Sequence, residues 1–327
     1  MGVGTPVQVT RQQTEVSPPV KNFTLPLELL RTIREFATNL SFEVEFAYEP
    51  LTNTVRISPG NKNTVDAPAL HGNIVNIHTH PSHVIYQQAQ LKYHPPTGAD
   101  YVSVLWDSLR NPGFRPVSNV VVEPSGVWVY RSTLGLILYL LDVEPDLPLL
   151  IKYHKEIPKS ILKIDTIIRE NMDILGHQLA APGKAERYAL FDPSADIVQR
   201  ISLSQYLNEA QHYLLHPAQE EEGKQWNDGF FVEYYPFSQL DSDVMIPNWK
   251  TTTSEKDECK NPGFPTREFI DTAPLLIKSW STLSATNPVV NRNFWTPVCS
   301  APTRRHSVFS LLPPITSQRR RRRSLAL

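Results

Sequence analysis

Two histidines one residue apart are the side chains best suited to chemistry in this sequence, within NIVNIHTHP at residues 73–81. The apolar residues before them predict a β-strand, and the proline after them predicts its end. Because side chains alternate along a strand, His78 and His80 should share one face, opposite Val75 and Ile77. Two imidazoles on one face can bind a single metal ion, although similar pairs also occur at strand ends that bind none.

The segment PPTGADY, at residues 95–101, offers a third ligand. Thr97 followed by Asp100 and then by an apolar stripe is the pattern of a capping box at the start of a helix. The loop before this helix can fold back over the strand end, so the Asp100 carboxylate is the best candidate for the third ligand. Two His and one Asp leave the fourth position of a tetrahedral zinc site for water, which is typical of catalytic sites. Taken alone, the capping box predicts only a helix start.

Two acidic residues on an earlier strand are candidates for a general base. In SFEVEFAY, at residues 41–48, the alternation directs Glu43 and Glu45 to one face and apolar side chains to the other. Either carboxylate could take the proton of a water molecule that zinc has made acidic. The alternative interpretation is that both belong to the solvated face of an edge strand.

The elements that must position these groups form an α/β unit. Apolar spacing predicts a helix that Thr24 caps and that ends near Asn39, then three strands, a second helix and a hairpin that turns at residues 124–126. We expect a mixed or antiparallel sheet covered by helices. The pattern over residues 132–180 is mostly helical, a further helix and a strand follow, and the chain beyond Asn248 reads mostly as loop.

Four regions follow from these patterns. Residues 1–22 are predicted to be a disordered lead and residues 301–327 a disordered basic tail, since both lack periodic apolar positions. Residues 23–180 should form the domain that carries the histidines, and residues 181–300 a helical and loop-rich extension of unknown role. The 29 prolines of the chain, a high share for 327 residues, agree with long irregular segments.

Composition excludes several classes of protein. The two cysteines, Cys259 and Cys299, make neither a disulfide framework nor a paired zinc knuckle, so a metal must be held by His and carboxylate. Apolar runs are too short for a membrane helix, and the N-terminus lacks the pattern of a secretory signal. Pro6 also departs from the myristoylation motif. We therefore expect a soluble intracellular protein with no membrane partner.

An arginine cluster near the C-terminal end indicates a separate role. Residues 301–327 contain seven Arg and no acid, so this segment carries +7 and, with a total of −1, the rest of the chain carries −8. Clustered arginines can act as a nuclear localisation signal that binds an import receptor, can contact nucleic-acid phosphates, or can be a solvated end with no partner. The cluster consists of Arg319, Arg320, Arg321, Arg322 and Arg323.

The early Glu, the HTHP segment and the later T-x-x-D resemble the JAMM/MPN metalloproteases, zinc isopeptidases that include deubiquitinases. The resemblance covers residues 24–131, extends to the order of elements, and is most similar to the versions found in large DNA viruses. It implies an MPN-like fold, a zinc cofactor and a protein substrate such as a ubiquitin-like conjugate, in the nucleus or cytoplasm of a eukaryotic host cell or in a virion. It further implies that His78, His80 and Asp100 bind zinc, that Glu43 is the base, and that Thr97 steadies the oxyanion.

Three departures from the family pattern bear on function. The connection from Pro81 to Pro96 is longer than in the family; a longer surface loop costs little entropy and could restrict substrate access. No glycine follows Glu43, which leaves Glu45 as an alternative base. Thr97 replaces the family's serine, and its hydroxyl can donate the same hydrogen bond, although its methyl group restricts the rotamer. The alternative to an enzyme is a non-catalytic MPN-type scaffold, or a virion structural or nucleic-acid-associated protein.

Overall fold

Helices cover both faces of a mixed β-sheet in a computed structural model that describes residues 21–60, 74–81, 93–111, 113–153, 156–180, 201–212, 229–248 and 263–286. The strands are β1 (Lys21–Leu25), β2 (Val44–Glu49), β3 (Thr54–Pro59), β4 (Val75–Thr79), β5 (Ser118–Glu123), β6 (Gly126–Ser132), β7 (Phe230–Pro236), β8 (Val244–Asn248) and β9 (Phe264–Pro265). The helices are α1 (Leu27–Asn39), α2 (Gly98–Arg110), α3 (Leu134–Val143), α4 (Leu147–Lys152), α5 (Lys159–Ala180), α6 (Leu203–His212) and α7 (Thr266–Thr286).

The seven strands of the main sheet lie in the order β7-β6-β5-β4-β2-β3-β9, and β1 pairs with β8 in a separate two-stranded sheet. The contact between β4 and β5 is parallel, and the other pairs of the described sheets are antiparallel. The predicted order of helix, three strands, helix and hairpin is confirmed, and the sheet is mixed. The strand that ends at the histidines, β4, therefore lies inside the sheet, between β2 and β5.

The two faces of the sheet pack against different hydrophobic clusters. Val75 and Ile77 of β4 belong to a cluster that includes the apolar sides of α1 and α7. The opposite face is covered by α2, α3, α5 and α6, whose apolar residues form a second cluster with Val121, Trp128 and Tyr130 of the β5–β6 hairpin. His78 of β4 and His80, just after the strand, contact Asp100 of α2 on this second face. The predicted alternation along β4 is thus confirmed.

The first helix ends as predicted but begins differently. The bounds of α1 include Asn39 as the last residue, and its buried apolar side chains form one stripe. Thr24, the predicted cap, lies instead in β1, where it pairs with Met245 of β8. The Leu27 N–H donates to Asp243 Oδ1 at 2.8 Å, so a side chain distant in sequence satisfies this end of the helix.

The described residues beyond position 180 join both sheets and the same clusters. β7 extends the sheet beside β6, and β9 extends the opposite edge beside β3. The expectation of loop beyond Asn248 is wrong for α7, which buries Phe269, Ala273 and Trp280 in the cluster that includes α1. Pro274 lies inside this helix, and a proline there weakens the helical pattern of the sequence.

Two predicted regions fall partly or wholly outside the described residues. Residues 21 and 22 were assigned to the disordered lead, yet they form the start of β1. Residues 1–20 and the arginine cluster at 319–323 lie outside the described ranges. Within those ranges, no helix combines the length and the hydrophobicity needed to cross a membrane.

Candidate metal centre

The end of β4 and the first turn of α2 bring His78, His80 and Asp100 together. His78 Nε2 lies 3.2 Å from His80 Nε2 and 3.3 Å from Asp100 Oδ1, and His80 Nε2 lies 3.5 Å from Asp100 Oδ2. All three side chains are largely buried. Among the described residues they form the only group of three or more potential metal ligands. The strand alternation and the capping box therefore lead to one cluster.

The three side chains lie close enough together to bind one metal ion. Bonds of about 2.0 to 2.1 Å in a tetrahedron place neighbouring ligand atoms about 3.3 to 3.4 Å apart. The two histidine nitrogens, 3.2 Å apart, agree with that spacing, and the distances of 3.3 and 3.5 Å from them to Asp100 end on its two different oxygens. One ligand atom from each of the three residues lies within 4.8 Å of the others. Imidazole nitrogen and carboxylate oxygen are donors that zinc accepts, and three protein ligands leave one position open. The cluster could therefore hold a metal ion.

The predicted capping box is present and fixes Asp100. Thr97 is the N-cap of α2, and its backbone N–H and its hydroxyl donate to Asp100 Oδ2 at 2.7 and 2.8 Å. The Asp100 N–H donates in return to Thr97 Oγ1 at 3.4 Å. The hydroxyl proton of Thr97 is thus directed at Asp100, and the predicted role of Thr97 toward an oxyanion requires that hydroxyl to turn.

A close contact with α5 also holds the start of α2. The Gly98 N–H donates to Asp173 Oδ1 of α5 at 2.6 Å. A Cβ at position 98 would lie 2.1 Å from the carbonyl oxygen of Arg169, so a side chain larger than that of glycine does not fit. The negative charge of Asp173 is also favourable at a helix N-terminus. This contact helps to set the position of Asp100, two residues further along α2.

Both candidate bases lie on the chain segment beside β4. Glu45 of β2 is the register partner of His78 and is buried, so the alternative interpretation of a solvated edge strand is wrong for it. Glu43 precedes β2, at the position that the same register would place beside His80. The charges of both histidines act on the Glu43 carboxyl. The assignment of the base to Glu43, with Glu45 as the alternative, stays a prediction.

Two hydrogen bonds hold the main chain on either side of Glu43. The Val44 N–H donates to Thr79 Oγ1 at 2.9 Å. Thr79 is the last residue of β4, and its side chain is fully buried. The carbonyl oxygen of Glu43 accepts the Gly60 N–H at 2.8 Å. The Thr79 side chain thus replaces one backbone hydrogen bond between β2 and β4. It fixes the backbone from which the Glu43 side chain extends.

The charges of the cluster shift the pKa values of its members. Burial alone would lower the pKa of His80, but the hydrogen bond and charge of Asp100, together with Glu43 and the His94 carbonyl, raise it to about 9. Burial would raise the pKa of Asp100, but His78 and His80 hold it well below its usual value. Burial raises the pKa of Glu43, the two histidines oppose this shift, and Asp100 adds to it. A metal ion must therefore displace a proton from His80 near neutral pH.

Two supporting residues were not singled out by the sequence patterns. His80 Nδ1 donates to the carbonyl oxygen of His94 at 3.1 Å, and the His94 N–H donates to Glu123 Oε2. Ser125 Oγ and Trp128 Nε1 donate to Glu123 Oε1 at 2.9 and 3.1 Å. Burial raises the pKa of Glu123 to about 7, against the effect of these donors. The sequence did offer a signal for Glu123, because it is an acidic residue at the end of a run of valines. A strand buried on both faces is normally apolar, so an acid there indicates a specific partner.

Comparisons of the chain with models of protein families, with curated proteins and with solved structures find no match. Local geometry carries the functional interpretation. Two imidazoles and one carboxylate lie at ligand spacing. A second carboxylate, that of Glu43, lies within their electrostatic influence.

Proposed function

We propose that this protein is a zinc-dependent peptidase or isopeptidase of the JAMM/MPN type. The observation that supports the proposal is that His78, His80 and Asp100 each offer a ligand atom within 4.8 Å of the others, while their charges act on the carboxyl of Glu43. Zinc bound in such a site supplies Lewis-acid chemistry and makes water acidic enough to lose a proton near neutral pH. Hydrolysis of an amide bond needs that acidity and a base to accept the proton.

The residues of the chain move the proton and steady the developing charge. Glu43 accepts a proton from the attacking water, and burial, which raises the pKa of this carboxyl, makes it a stronger base. The water oxygen bonds to the carbonyl carbon, the carbon–nitrogen bond breaks, and Glu43 returns the proton to the leaving amine. Thr97 turns its hydroxyl from Asp100 toward the oxyanion and donates a hydrogen bond to it.

The proposed substrate is a protein that carries an amide or isopeptide linkage. A ubiquitin-like conjugate is the substrate that the family resemblance supports, and a virion component is the other class. His94, in the long connection from Pro81 to Pro96, contacts His80 and so borders the site. We propose that this connection restricts which conjugates enter. We place the protein in the nucleus or cytoplasm of a host cell, where the arginine cluster at 319–323 would bind an import receptor or nucleic acid.

Cleavage of a panel of isopeptide-linked substrates and a linear peptide tests the proposal. Glu43→Gln keeps the shape of the side chain and all three ligands. We expect one zinc per chain in the wild type and in this variant, with turnover reduced about 10² to 10⁴-fold in the variant. Glu45→Gln is the matched control and should keep most of the turnover. Equal turnover in wild type and Glu43→Gln would contradict the assigned base.

A non-catalytic scaffold is the second candidate. The observation that favours it is that the two histidines and Asp100 already contact one another at 3.2 to 3.5 Å, and the Thr97 hydroxyl donates to the same carboxylate. Such a cluster can serve as a structural connection between β4 and α2. The substrate panel separates the two candidates, because a scaffold cleaves no member of the panel, with or without bound zinc.

A further inference from the structure

We propose that Glu123 is a positioning residue of the metal centre: it fixes the peptide group of His94 and, through the His94 carbonyl oxygen, the imidazole of His80. This inference rests on the proposed metal centre and adds to it a residue outside the ligand set. A ligand histidine usually has its second ring nitrogen held, because that bond selects the tautomer and the ring orientation. In His80 this nitrogen, Nδ1, donates to a main-chain carbonyl, so the ring orientation depends on what holds that peptide.

The peptide at position 94 is held by Glu123. His94 lies between β4 and α2, outside any helix or strand. Its N–H donates to Glu123 Oε2, and its carbonyl accepts from His80. The carboxylate is fully buried at the end of β5, the strand that pairs with β4 in parallel. The His80 N–H also donates to the Val122 carbonyl of β5 at 3.0 Å. The end of β5 therefore holds His80 twice, once directly and once through His94.

The Glu123 carboxylate is itself fixed by the hairpin and by β7. Its other oxygen, Oε1, accepts from Ser125 Oγ and from Trp128 Nε1. Ser125 Oγ also lies 2.8 Å from Tyr234 Oη of β7, so the network reaches a strand far along the chain. A Cβ at Gly126 would lie 2.5 Å from the Tyr234 ring, which explains why glycine follows the turn.

A role in the hairpin turn alone does not account for this carboxylate. The turn uses only Oε1, whereas Oε2 is directed away from the hairpin to His94. Burying a charged group is costly unless it is fully paired, so an apolar residue would serve a purely structural turn better. Tyr93, next to His94, packs edge-on against Tyr234 with ring centroids 5.4 Å apart. The segment is thus held at two adjacent residues, at the point where it meets the imidazole.

Zinc affinity and a Co²⁺ spectrum test the role of Glu123 in the full chain. In Glu123→Ala we expect the zinc dissociation constant, measured by chelator competition, to rise about 10 to 100-fold. The visible ligand-field bands of the Co²⁺-substituted protein should shift, because the imidazole of His80 changes orientation. Ser125→Ala is the matched control: it removes a bond to the same carboxylate at 2.9 Å but leaves the oxygen that holds His94. Its zinc affinity and its Co²⁺ bands should match those of the wild type.

A second pair of variants tests the same hydrogen bond from its donor, His94. His94→Pro removes the N–H that Glu123 accepts, and the residue before Pro95 already favours the extended backbone that proline adopts. His94→Ala keeps that N–H. We expect His94→Pro to reproduce Glu123→Ala, and His94→Ala to retain zinc affinity within about threefold.

The outcomes separate this inference from the proposed function. A wild-type chain that binds no zinc would overturn both. Zinc binding by the wild type, with the same affinity and the same Co²⁺ bands in Glu123→Ala and His94→Pro, would overturn only the role of Glu123. If Glu123→Ala does not fold, the comparison of His94→Pro with His94→Ala decides.

Discussion

Replacing Gly98 with alanine should weaken both the fold and the metal centre. The added Cβ would lie 2.1 Å from the Arg169 carbonyl oxygen, whereas such atoms essentially never approach within 3.0 Å, so α2 and α5 must separate by at least the difference, 0.9 Å. That shift lengthens the bond between Gly98 N and Asp173 Oδ1 from 2.6 Å to about 3.5 Å, beyond the usual range, so most of the hydrogen bond is lost.

The expected change in the free energy of unfolding combines two costs and one gain. Overpacking against a fixed backbone costs about 1 to 3 kcal/mol, and the lost hydrogen bond to a charged group costs about 1.5 to 3 kcal/mol. Alanine lowers the entropy of the unfolded chain, which offsets about 0.4 to 1 kcal/mol. We therefore expect the free energy of unfolding to fall by about 1.5 to 5.6 kcal/mol. A displacement of about 1 Å in Asp100 should also lower turnover about 100-fold.

Urea unfolding followed by circular dichroism measures the loss of stability, and chelator competition measures the effect on zinc affinity. Gly176→Ala is the matched control in α5, because the nearest atom to its added Cβ is Pro95 Cγ at 3.5 Å, an ordinary contact. This control should keep zinc affinity and gain up to about 1 kcal/mol of stability. Wild-type stability and wild-type zinc affinity in Gly98→Ala would refute the reasoning that this contact positions Asp100.

Three further outcomes follow from the site. Zinc affinity should rise about tenfold from pH 7 to pH 8, because zinc must displace a proton from His80. Competition from that proton weakens as the pH approaches the His80 pKa of about 9. Calorimetry in two buffers should record the proton released. Thr79→Val removes the acceptor of the Val44 N–H and should lower the free energy of unfolding in urea by about 1 to 3 kcal/mol. It should lower kcat more than zinc affinity, because the main chain beside Glu43 loosens. Thr97→Ala should lower the free energy of unfolding by about 0.5 to 2 kcal/mol through loss of the N-cap, and Thr97→Ser should restore it.

The parts of the fold that the sequence predicted are those set by local periodicity. The alternation along β4 is determined by burial of Val75 and Ile77 on one face, a period that can be read from five residues. The cap of α1 could not be read in this way, because Asp243 lies 216 residues from the N–H that it accepts. The α7 helix was missed because Pro274 lies inside it, and its stability comes from tertiary packing against α1.

The candidate site divides in the same way. The ligands come from two short motifs whose spacing carries the information, so the sequence was sufficient to bring His80 and Asp100 together. Glu123 accepts a hydrogen bond from His94 across 29 residues and Asp173 accepts one from Gly98 across 75, and no local pattern encodes such contacts. The strand period directs both Glu43 and Glu45 to one face, and only the register with β4 shows which histidine each one faces.

X-ray absorption at the zinc edge of the full chain tests the central claim most directly. We predict one zinc per chain, with nitrogen ligands at about 2.0 to 2.1 Å and oxygen ligands at about 2.0 to 2.2 Å, and loss of that zinc in His80→Ala. A sulfur ligand at about 2.3 Å, which only Cys259, Cys299 or one of the three methionines could supply, would contradict the claim. Zinc content unchanged in His80→Ala would contradict it equally.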